Sequence, residues 1–208
     1  METLLLATNN RGKRAEMLSI LRAAPSLAGR ITLVTPAEIH LELNVAETGN
    51  SYAENAALKA AAFCKASGLI ALADDSGLEV AVLDGSPGIH SAHYSSQPGA
   101  TDADRRKYLL AQLAGMPRPW KAHFHCTVAI AAPGGELYFS EGRVDGEIIP
   151  EERGTQGFGY DRIFYLPGLR KTMAEMSMIE KNRLSHRARA IQAALSAIEM
   201  LFSTPPAP

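Results

Sequence analysis

The stretch ALADDSGLEV, residues 71–80, places two adjacent aspartates, Asp74 and Asp75, directly after a short apolar run and directly before Ser76 and Gly77. The apolar run LIALA is typical of a buried strand, and we expect DDSG to form a turn at the end of that strand. Ligands of open α/β sheets collect at the carboxyl ends of the strands. The stretch therefore predicts both a sheet strand and a candidate site.

Strand and helix patterns alternate on both sides of this stretch. TLLLAT and ITLVT indicate strands, whereas RGKRAEMLSILRAA, YAENAALKAAAFCKAS, DADRRKYLLAQLAG and SHRARAIQAALSAIEMLF indicate helices. KAHFHCTVAIAA and LYFSEGRVDGEII, joined by the turn PGGE, are typical of an antiparallel hairpin. We therefore predict the α/β class, with a mixed β-sheet flanked by helices. We expect a single domain over residues 1–203 and a disordered, proline-rich tail at 204–208.

Composition limits the classes of function. Hydrophobic residues make up 46% and charged residues 21% of the 208 residues, as in globular proteins with a sizeable core. The net charge of −1 gives no reason to expect wholesale binding to nucleic acid or to a membrane. The N-terminal apolar run is too short for a signal peptide or a spanning helix, so we expect a cytoplasmic protein.

The segment TNNRGK joins the first predicted strand to the first predicted helix. A helix N-terminus offers free backbone N–H groups and the positive end of the helix dipole, which suit a phosphate group, and a lysine adds a full charge. The segment lacks the first glycine and the final Ser or Thr of a P-loop. An asparagine-capped helix with solvated basic residues is the alternative interpretation. The residues concerned are Thr8, Asn9, Asn10, Arg11, Gly12 and Lys13.

The paired aspartates suggest a metal site rather than an acid and base couple. Successive side chains of an extended segment point to opposite sides, so we expect Asp74 and Asp75 to have different surroundings. Mg²⁺ commonly takes one or two protein carboxylates and completes its shell with water and substrate phosphates. The alternative is a turn whose carboxylates accept only backbone hydrogen bonds.

Six motifs in one order resemble the inosine triphosphate pyrophosphatase family, which hydrolyses non-standard purine nucleoside triphosphates. The motifs run from residue 8 to about residue 190. They are TNNRGK, ETGNSYAENAALKA, ADDSGLEV, GSPGIHSAHY, GFGYDRIF and EKNRLSHRARA. The resemblance implies two lobes around a nucleotide-binding cleft, Mg²⁺ as cofactor, a nucleoside triphosphate as substrate and a homodimer.

The resemblance also implies roles for individual residues. It makes Thr8 through Lys13 the phosphate-binding segment, Asp75 the metal ligand and proton acceptor, and Ser76 a substrate contact. Glu47 fits best as a second metal ligand, with Glu42 as the nearby alternative. The residues implied to border the base and sugar or to contact the nucleotide are Phe158, Gly159, Tyr160, Asp161, Lys181, His186 and Arg187. Asp74 and Lys59 are left with supporting roles.

The pattern of donors and aromatic rings in these segments fits purine recognition. Phe158 and Tyr160 can stack on a base, and His186 and Arg187 can donate hydrogen bonds to a 6-keto oxygen. Adenine has an amino donor at that position and would leave buried donors unpaired. A nucleotide-binding sensor without catalysis and a pyrophosphatase for modified pyrimidine triphosphates remain the alternative functions.

Overall fold

A computed structural model describes residues 2–95 and 97–203 of the chain. The strands are β1 (Glu2–Leu6), β2 (Ile31–Val34), β3 (Ile70–Val80), β4 (Trp120–Ala131), β5 (Leu137–Ile148), β6 (Phe164–Leu166) and β7 (Lys171–Thr172). The α-helices are α1 (Arg11–Arg22), α2 (Tyr52–Ser67), α3 (Asp102–Leu113), α4 (Met178–Leu184) and α5 (His186–Leu201). Short 3-10 helices span Pro25–Leu27, Pro36–Ile39, Ala81–Leu83, Gly88–His93, Pro167–Leu169 and Met173–Glu175.

The strands form one mixed sheet in the order β2-β1-β3-β4-β5-β6-β7. β1 pairs in parallel with both β2 and β3, whereas β6 pairs antiparallel with β5 and β7. Residues 132–136 connect β4 to its neighbour β5, and so short a connection requires an antiparallel pair. The predicted α/β class with a mixed sheet is confirmed.

Local sequence signals account for the helix ends near the site. The Asn10 side chain accepts a hydrogen bond from the Lys13 backbone N–H at 3.0 Å and thereby caps α1. Ser51 caps α2 in the same way, at 3.2 Å from the Glu54 backbone nitrogen. Gly68 ends α2 with a φ of 71°, a left-handed conformation that glycine adopts without strain.

The chain divides into two compact units. The first unit comprises Met1–Asp75, Cys126–Gly142 and Arg187–Pro208, and the second comprises Ser76–His125 and Arg143–His186. The prediction of a single domain over residues 1–203 stays a prediction, and the expected disordered tail at 204–208 lies outside the described residues.

Each unit has its own hydrophobic core. In the first unit, alternate residues of the strands point to opposite faces, as in a sheet covered on both sides. Leu4, Leu6 and Leu72 pack with buried residues of α1 and α5, whereas Leu5 and Ala71 pack with α2. The second unit buries a separate hydrophobic cluster. Its members include Leu78, Leu109, Trp120, Phe124, Val144, Ile163 and Phe164.

The predicted turn at DDSG is wrong, because β3 continues from Ile70 through these residues to Val80. Aspartate is depleted in strands, but strand preference depends on the surroundings of the side chain. Here Asp74 and Asp75 both lie within 4 Å of cationic side chains, which compensate the buried carboxylates. The charges therefore do not end the strand.

Candidate active site

In the first unit, the N-terminus of α1 carries a basic side chain. Lys13 lies in the first turn of α1, and that first turn contains no acidic residue. Asn9 donates a hydrogen bond to the Leu43 carbonyl at 2.9 Å, and the Thr8 hydroxyl accepts one from the Asn10 backbone N–H at 3.2 Å. These bonds fix the backbone of the turn that leads into the helix N-terminus, the end of a helix that favours anions.

Asp74 is the centre of a buried ion-pair network. Its Oδ2 atom lies 3.3 Å from Lys13 Nζ, and it accepts hydrogen bonds from Arg187 Nε at 3.1 Å and Nη2 at 3.0 Å. Arg187 Nη1 also donates to the buried carboxylate of Glu16. Burial alone would raise the pKa of Asp74, but Lys13 and Arg187 outweigh it and hold that pKa below its ordinary value. Asp74 is therefore charged and orients Lys13.

Arg187 lies inside this network, with only 1% of its surface exposed. The resemblance implies that Arg187 recognises the base. In the structure, its guanidinium donates hydrogen bonds to Asp74 and Glu16. Its role toward a base stays a prediction. Sequence reasoning missed Glu16, although an acidic residue beside Met17 on the buried side of an amphipathic helix is a signal for a buried partner.

Asp75 has different partners from Asp74, as the alternation of strand side chains predicts. Its Oδ1 atom lies 3.6 Å from Lys59 Nζ, and its Oδ2 atom accepts a hydrogen bond from Asn55 Nδ2 at 3.2 Å. Burial raises the pKa of Asp75, and Lys59 and Lys13 offset this only in part.

Lys59 pairs with Glu47 as well as with Asp75, so one ammonium group lies against two carboxylates. Burial would lower the pKa of Lys59, but the nearby carboxylates, Asp75 foremost, raise it above its ordinary value. The structure thus brings Glu47, although it is exposed, to the lysine that pairs with Asp75, whereas Glu42 is exposed and forms no ion pair among the described residues. Lys59 had been left with an uncertain role, and the geometry makes it the link between the two acids.

The Asn55 side chain was not predicted to belong to the site, although it is almost fully buried. Besides its bond to Asp75, its Oδ1 atom accepts a hydrogen bond from the Gly49 backbone N–H at 2.8 Å. Asn55 thus ties the segment that follows Glu47 to the strand that carries Asp75. The signal in the sequence was a polar residue within the alanine-rich helix α2.

The carboxylates of the first unit fit a Mg²⁺ site of the kind completed by substrate. No group of three or more His, Cys, Asp or Glu suited to a metal occurs within 2–95 and 97–203. Two carboxylates do converge on one cation, the Lys59 ammonium, and Mg²⁺ commonly uses one or two protein carboxylates together with phosphate oxygens and water. Asp75 and Glu47 are thus the residues that fit the ion.

In the second unit, the predicted base-binding segment is held by Asp161. Its Oδ2 atom accepts hydrogen bonds from Lys181 Nζ at 2.6 Å and from the Phe158 backbone N–H at 2.8 Å. The Lys181 ammonium also lies 5.2 Å from the centre of the Phe158 ring, in cation–π geometry. A Cβ atom on Gly157 would lie 2.0 Å from Asp161 Oδ2, so only glycine leaves room for the carboxylate.

His186 and Tyr160 occupy the same unit in different ways. The His186 ring stacks on Phe124 with ring centres 4.7 Å apart and planes inclined by 13°. Tyr160 is buried and donates a hydrogen bond from its hydroxyl to the Ser91 carbonyl at 2.9 Å. Burial also raises the pKa of Tyr160. Phe124 is a contact that sequence reasoning missed, because an apolar residue in a strand carries no signal beyond core packing.

Ser76, the last of the predicted residues, follows Asp75 in β3 and is half-buried. In the described residues, no helix is both long and apolar enough to cross a membrane.

The fold is an open mixed sheet of the α/β class. It combines a basic helix N-terminus with two carboxylates on one lysine, groups that suit a phosphorylated ligand and a divalent cation.

Comparisons with known proteins give the family. Residues 4–197 match the model of the Ham1 family. The chain is 48% identical to the dITP/XTP pyrophosphatase of Synechocystis sp. over 191 residues, which cover 91% of this chain and 92% of that protein. It is 40% identical to the dITP/XTP pyrophosphatase of Desulforamulus reducens over 200 residues, 96% of each chain. The structure of the Staphylococcus aureus Ham1 protein matches with a TM-score of 0.81 and 36% identity, over 96% of this chain and 100% of that one.

The chain therefore belongs to the Ham1 family. The resemblance inferred from the six sequence motifs is confirmed.

Proposed function

We propose that this protein is a nucleoside triphosphate pyrophosphatase that converts ITP, dITP and XTP to the monophosphate and pyrophosphate. The observation that carries the proposal is the pair of carboxylates on Lys59, beside the basic N-terminus of α1, in a chain whose relatives bear the name dITP/XTP pyrophosphatase. The biological role would be to remove non-standard purine nucleotides before a polymerase uses them.

The residues of the first unit are proposed to handle the triphosphate. The segment Thr8 through Lys13 would bind phosphate oxygens, with the Lys13 ammonium as its charged donor. Asp74, itself held by Arg187, would orient that ammonium. Asp75 and Glu47 would hold Mg²⁺, with Asn55 fixing Asp75. When bound, Mg²⁺ would neutralise charge that develops on the phosphate oxygens.

Hydrolysis would proceed by attack of water on the α-phosphorus in line with the bond to the bridging oxygen. A bond forms between the water oxygen and phosphorus, the bond from phosphorus to the bridging oxygen breaks, and pyrophosphate leaves. Asp75 would accept the proton of the water. Lys59 would keep the carboxylate ionised before the proton arrives.

The residues of the second unit are proposed to recognise the base. His186 and Arg187 would supply donors for a 6-keto oxygen, Lys181 would contact the nucleotide, and the half-buried Phe158 would supply an aromatic face. Ser76, Gly159, Tyr160 and Asp161 would complete the contacts or hold the segment in place. A donor-lined pocket rejects adenine because its 6-amino group cannot accept the hydrogen bonds.

Product analysis tests this function directly. The purified protein with Mg²⁺ is incubated with ITP, dITP, XTP, GTP, ATP and dUTP, and monophosphate plus pyrophosphate is resolved from diphosphate plus phosphate. We expect fast release of IMP or XMP with pyrophosphate and slow turnover of ATP and GTP. Diphosphate products, or ITP binding without turnover, would overturn the proposal.

The remaining expectations rest on the resemblance. We infer a homodimer in the cytoplasm that binds neither nucleic acid nor membrane, in line with the net charge of −1. Light scattering of the purified protein gives the oligomeric state, and a mass of twice the chain mass of 22.3 kDa is expected.

A further inference from the structure

Two side chains of α3 hold one peptide segment from both sides. Asp102 Oδ2 accepts a hydrogen bond from the Gly159 backbone N–H at 2.7 Å, and Arg106 Nη1 donates one to the Gly159 carbonyl at 2.8 Å. The two residues are four apart on a helix and so lie on the same face, one turn apart. Gly159 itself has a φ of 59°, a left-handed conformation that glycine adopts without strain.

Arg106 is built into this position rather than being a surface cation. Only 5% of its surface is exposed, and its Nε and Nη2 atoms donate to the two carboxylate oxygens of Glu152 at 2.7 and 3.1 Å. The hydrogen bond from Arg106 lowers the pKa of Glu152, so the acid is charged and fixes the guanidinium. The bond from Arg106 to Gly159 therefore comes from a cation that cannot easily turn away.

The segment held in this way carries the side chains that we assign to base recognition. Phe158 precedes Gly159, and Asp161, which pairs with Lys181, follows two residues later. Tyr160 is anchored independently through its hydroxyl bond to Ser91. Fixing both peptide groups of Gly159 leaves the backbone between Phe158 and Asp161 little freedom.

We propose that Asp102 and Arg106 are positioning residues for base recognition, acting through Gly159. They hold the peptide groups on either side of it and thereby set the placement of Phe158 and Asp161. This inference rests on the proposed function, since it needs that segment to contact the base. It assigns a role in the reaction to a helix that carries none of the residues proposed to touch the substrate.

The test separates base binding from phosphate binding. For Arg106→Lys, Asp102→Ala and Asp102→Asn, we measure kcat and KM for ITP and the inhibition constants of IMP, which carries a base, and of pyrophosphate, which does not. For Arg106→Lys and Asp102→Ala we expect KM and the IMP constant to rise on the order of tenfold, with kcat and the pyrophosphate constant within about twofold. Asp102→Asn keeps an acceptor for the Gly159 N–H and should restore most of the affinity for IMP.

Asp104→Ala is the matched control. Asp104 carries the same charge in the same first turn of α3 and completes the cap with Thr101, but its carboxylate accepts hydrogen bonds from Thr101 rather than from Gly159. Losing it weakens the helix start without touching Gly159, so the IMP constant should stay at the wild-type value. Circular dichroism and thermal unfolding verify that every variant is folded.

The inhibition constants of IMP and pyrophosphate decide the inference. An unchanged IMP constant in folded Arg106→Lys and Asp102→Ala, or equal weakening of IMP and pyrophosphate, would overturn the inference. If the wild-type protein does not hydrolyse ITP, the proposed function fails, and calorimetric IMP affinity of the same variants decides the positioning role. A wild-type protein that neither hydrolyses ITP nor binds IMP would overturn both.

Discussion

Asp74 and Asp75 are neighbours in the chain, yet their surroundings assign them opposite tasks. The carboxylate of Asp74 faces two cations, Lys13 and Arg187, which outweigh the cost of burial. That of Asp75 faces Lys59 and the neutral amide of Asn55, and burial raises its pKa. An acid that stays charged at neutral pH suits a structural ion pair, whereas we propose that the less compensated Asp75 takes part in proton transfer and metal binding.

Asp75→Asn tests the second task. The amide keeps the size of the side chain but can neither accept the proton nor give Mg²⁺ a charged ligand, so we expect kcat for ITP to fall on the order of a thousandfold or more. The fold should persist, since Asn55 can still hydrogen-bond to an amide oxygen. Steady-state kinetics and thermal unfolding measure the two effects, and turnover near the wild-type rate would remove Asp75 from the mechanism.

Glu47→Gln and Glu42→Gln form a matched pair that locates the second metal ligand. Both glutamates are exposed, but Glu47 shares Lys59 with Asp75, whereas Glu42 forms no ion pair among the described residues. We expect Glu47→Gln to raise the Mg²⁺ concentration needed for half-maximal activity on the order of tenfold, because outer partners and ligands of a metal commonly contribute that much affinity. Glu42→Gln should leave it unchanged, and the reverse pattern would move the ligand to Glu42.

The pKa of Asp74 makes a prediction about stability and pH. Because this pKa is lowered in the folded state, the stabilisation is complete above the ordinary aspartate value of about 3.9 and is lost as pH falls through the folded value. At pH 7, Asp74→Asn should lower the free energy of unfolding by roughly 3–5 kcal/mol, because it leaves Arg187 short of a partner.

Urea unfolding of the wild-type and Asp74→Asn proteins between about pH 7 and pH 2 measures this change. The difference between them should stay constant down to about pH 4 and shrink below it. Asp145→Asn is the control, since Asp145 pairs with Arg143 in an exposed position, and its effect should stay within about 0.5 kcal/mol. A difference that is constant over this pH range would contradict the pKa of Asp74.

At the scale of elements, the sequence predicted a helix closely where capping residues marked its ends. Asn10, Ser51 and Gly68 mark helix ends by their own chemistry, so α1 and α2 could be predicted closely. The course of β3 through Asp74 and Asp75 could not, since the cations that neutralise them come from distant parts of the chain.

The same reason limits prediction of the site. Motif resemblance proposed Asp75, Lys13 and Glu47 as site residues, but partnerships such as that of Arg187 with Glu16 join residues 171 positions apart. Nothing in the local sequence of either residue identifies the other. Local chemistry therefore predicts elements and candidate residues, whereas the tertiary fold decides which side chain supports which.

Gly49→Ala tests how the start of α2 supports the site. A Cβ atom on Gly49 would lie 2.6 Å from Glu54 Cβ and 2.8 Å from Asn55 Oδ1, too close for either to stay in place. We expect the segment that carries Glu47 to shift and the Mg²⁺ requirement to rise several-fold, with activity falling at low Mg²⁺. Mg²⁺ titration of the activity measures the change.

Gly168→Ala is the control for this substitution. A Cβ atom on Gly168 would meet nothing within 4 Å, so the added methyl group should leave both activity and the Mg²⁺ requirement unchanged. An equal Mg²⁺ requirement in Gly49→Ala and the wild-type protein would contradict the support that we assign to the start of α2.

At the scale of the whole molecule, the two units differ in what their polar groups can bind. The first concentrates Lys13, Lys59 and their carboxylates, which suit phosphates and a cation. The second concentrates Lys181, Asp161 and the stacked ring of His186, for which we propose contacts to the base. A ligand that offers both kinds of group should stabilise the folded protein more than one that offers only phosphates.

Thermal unfolding with a non-hydrolysable α,β-methylene analogue of ITP tests this expectation on the intact protein. With Mg²⁺ and the analogue at 100 times its dissociation constant, the free energy of unfolding should rise by about 2.7 kcal/mol. The ATP analogue at the same concentration should raise it less, because its 6-amino group cannot accept hydrogen bonds from the donors assigned to base recognition. Removing Mg²⁺ with EDTA should reduce both shifts, since the phosphates then lose their shared cation. Equal shifts for the two analogues would refute base selectivity in binding, and shifts indifferent to EDTA would refute the metal site at Asp75 and Glu47.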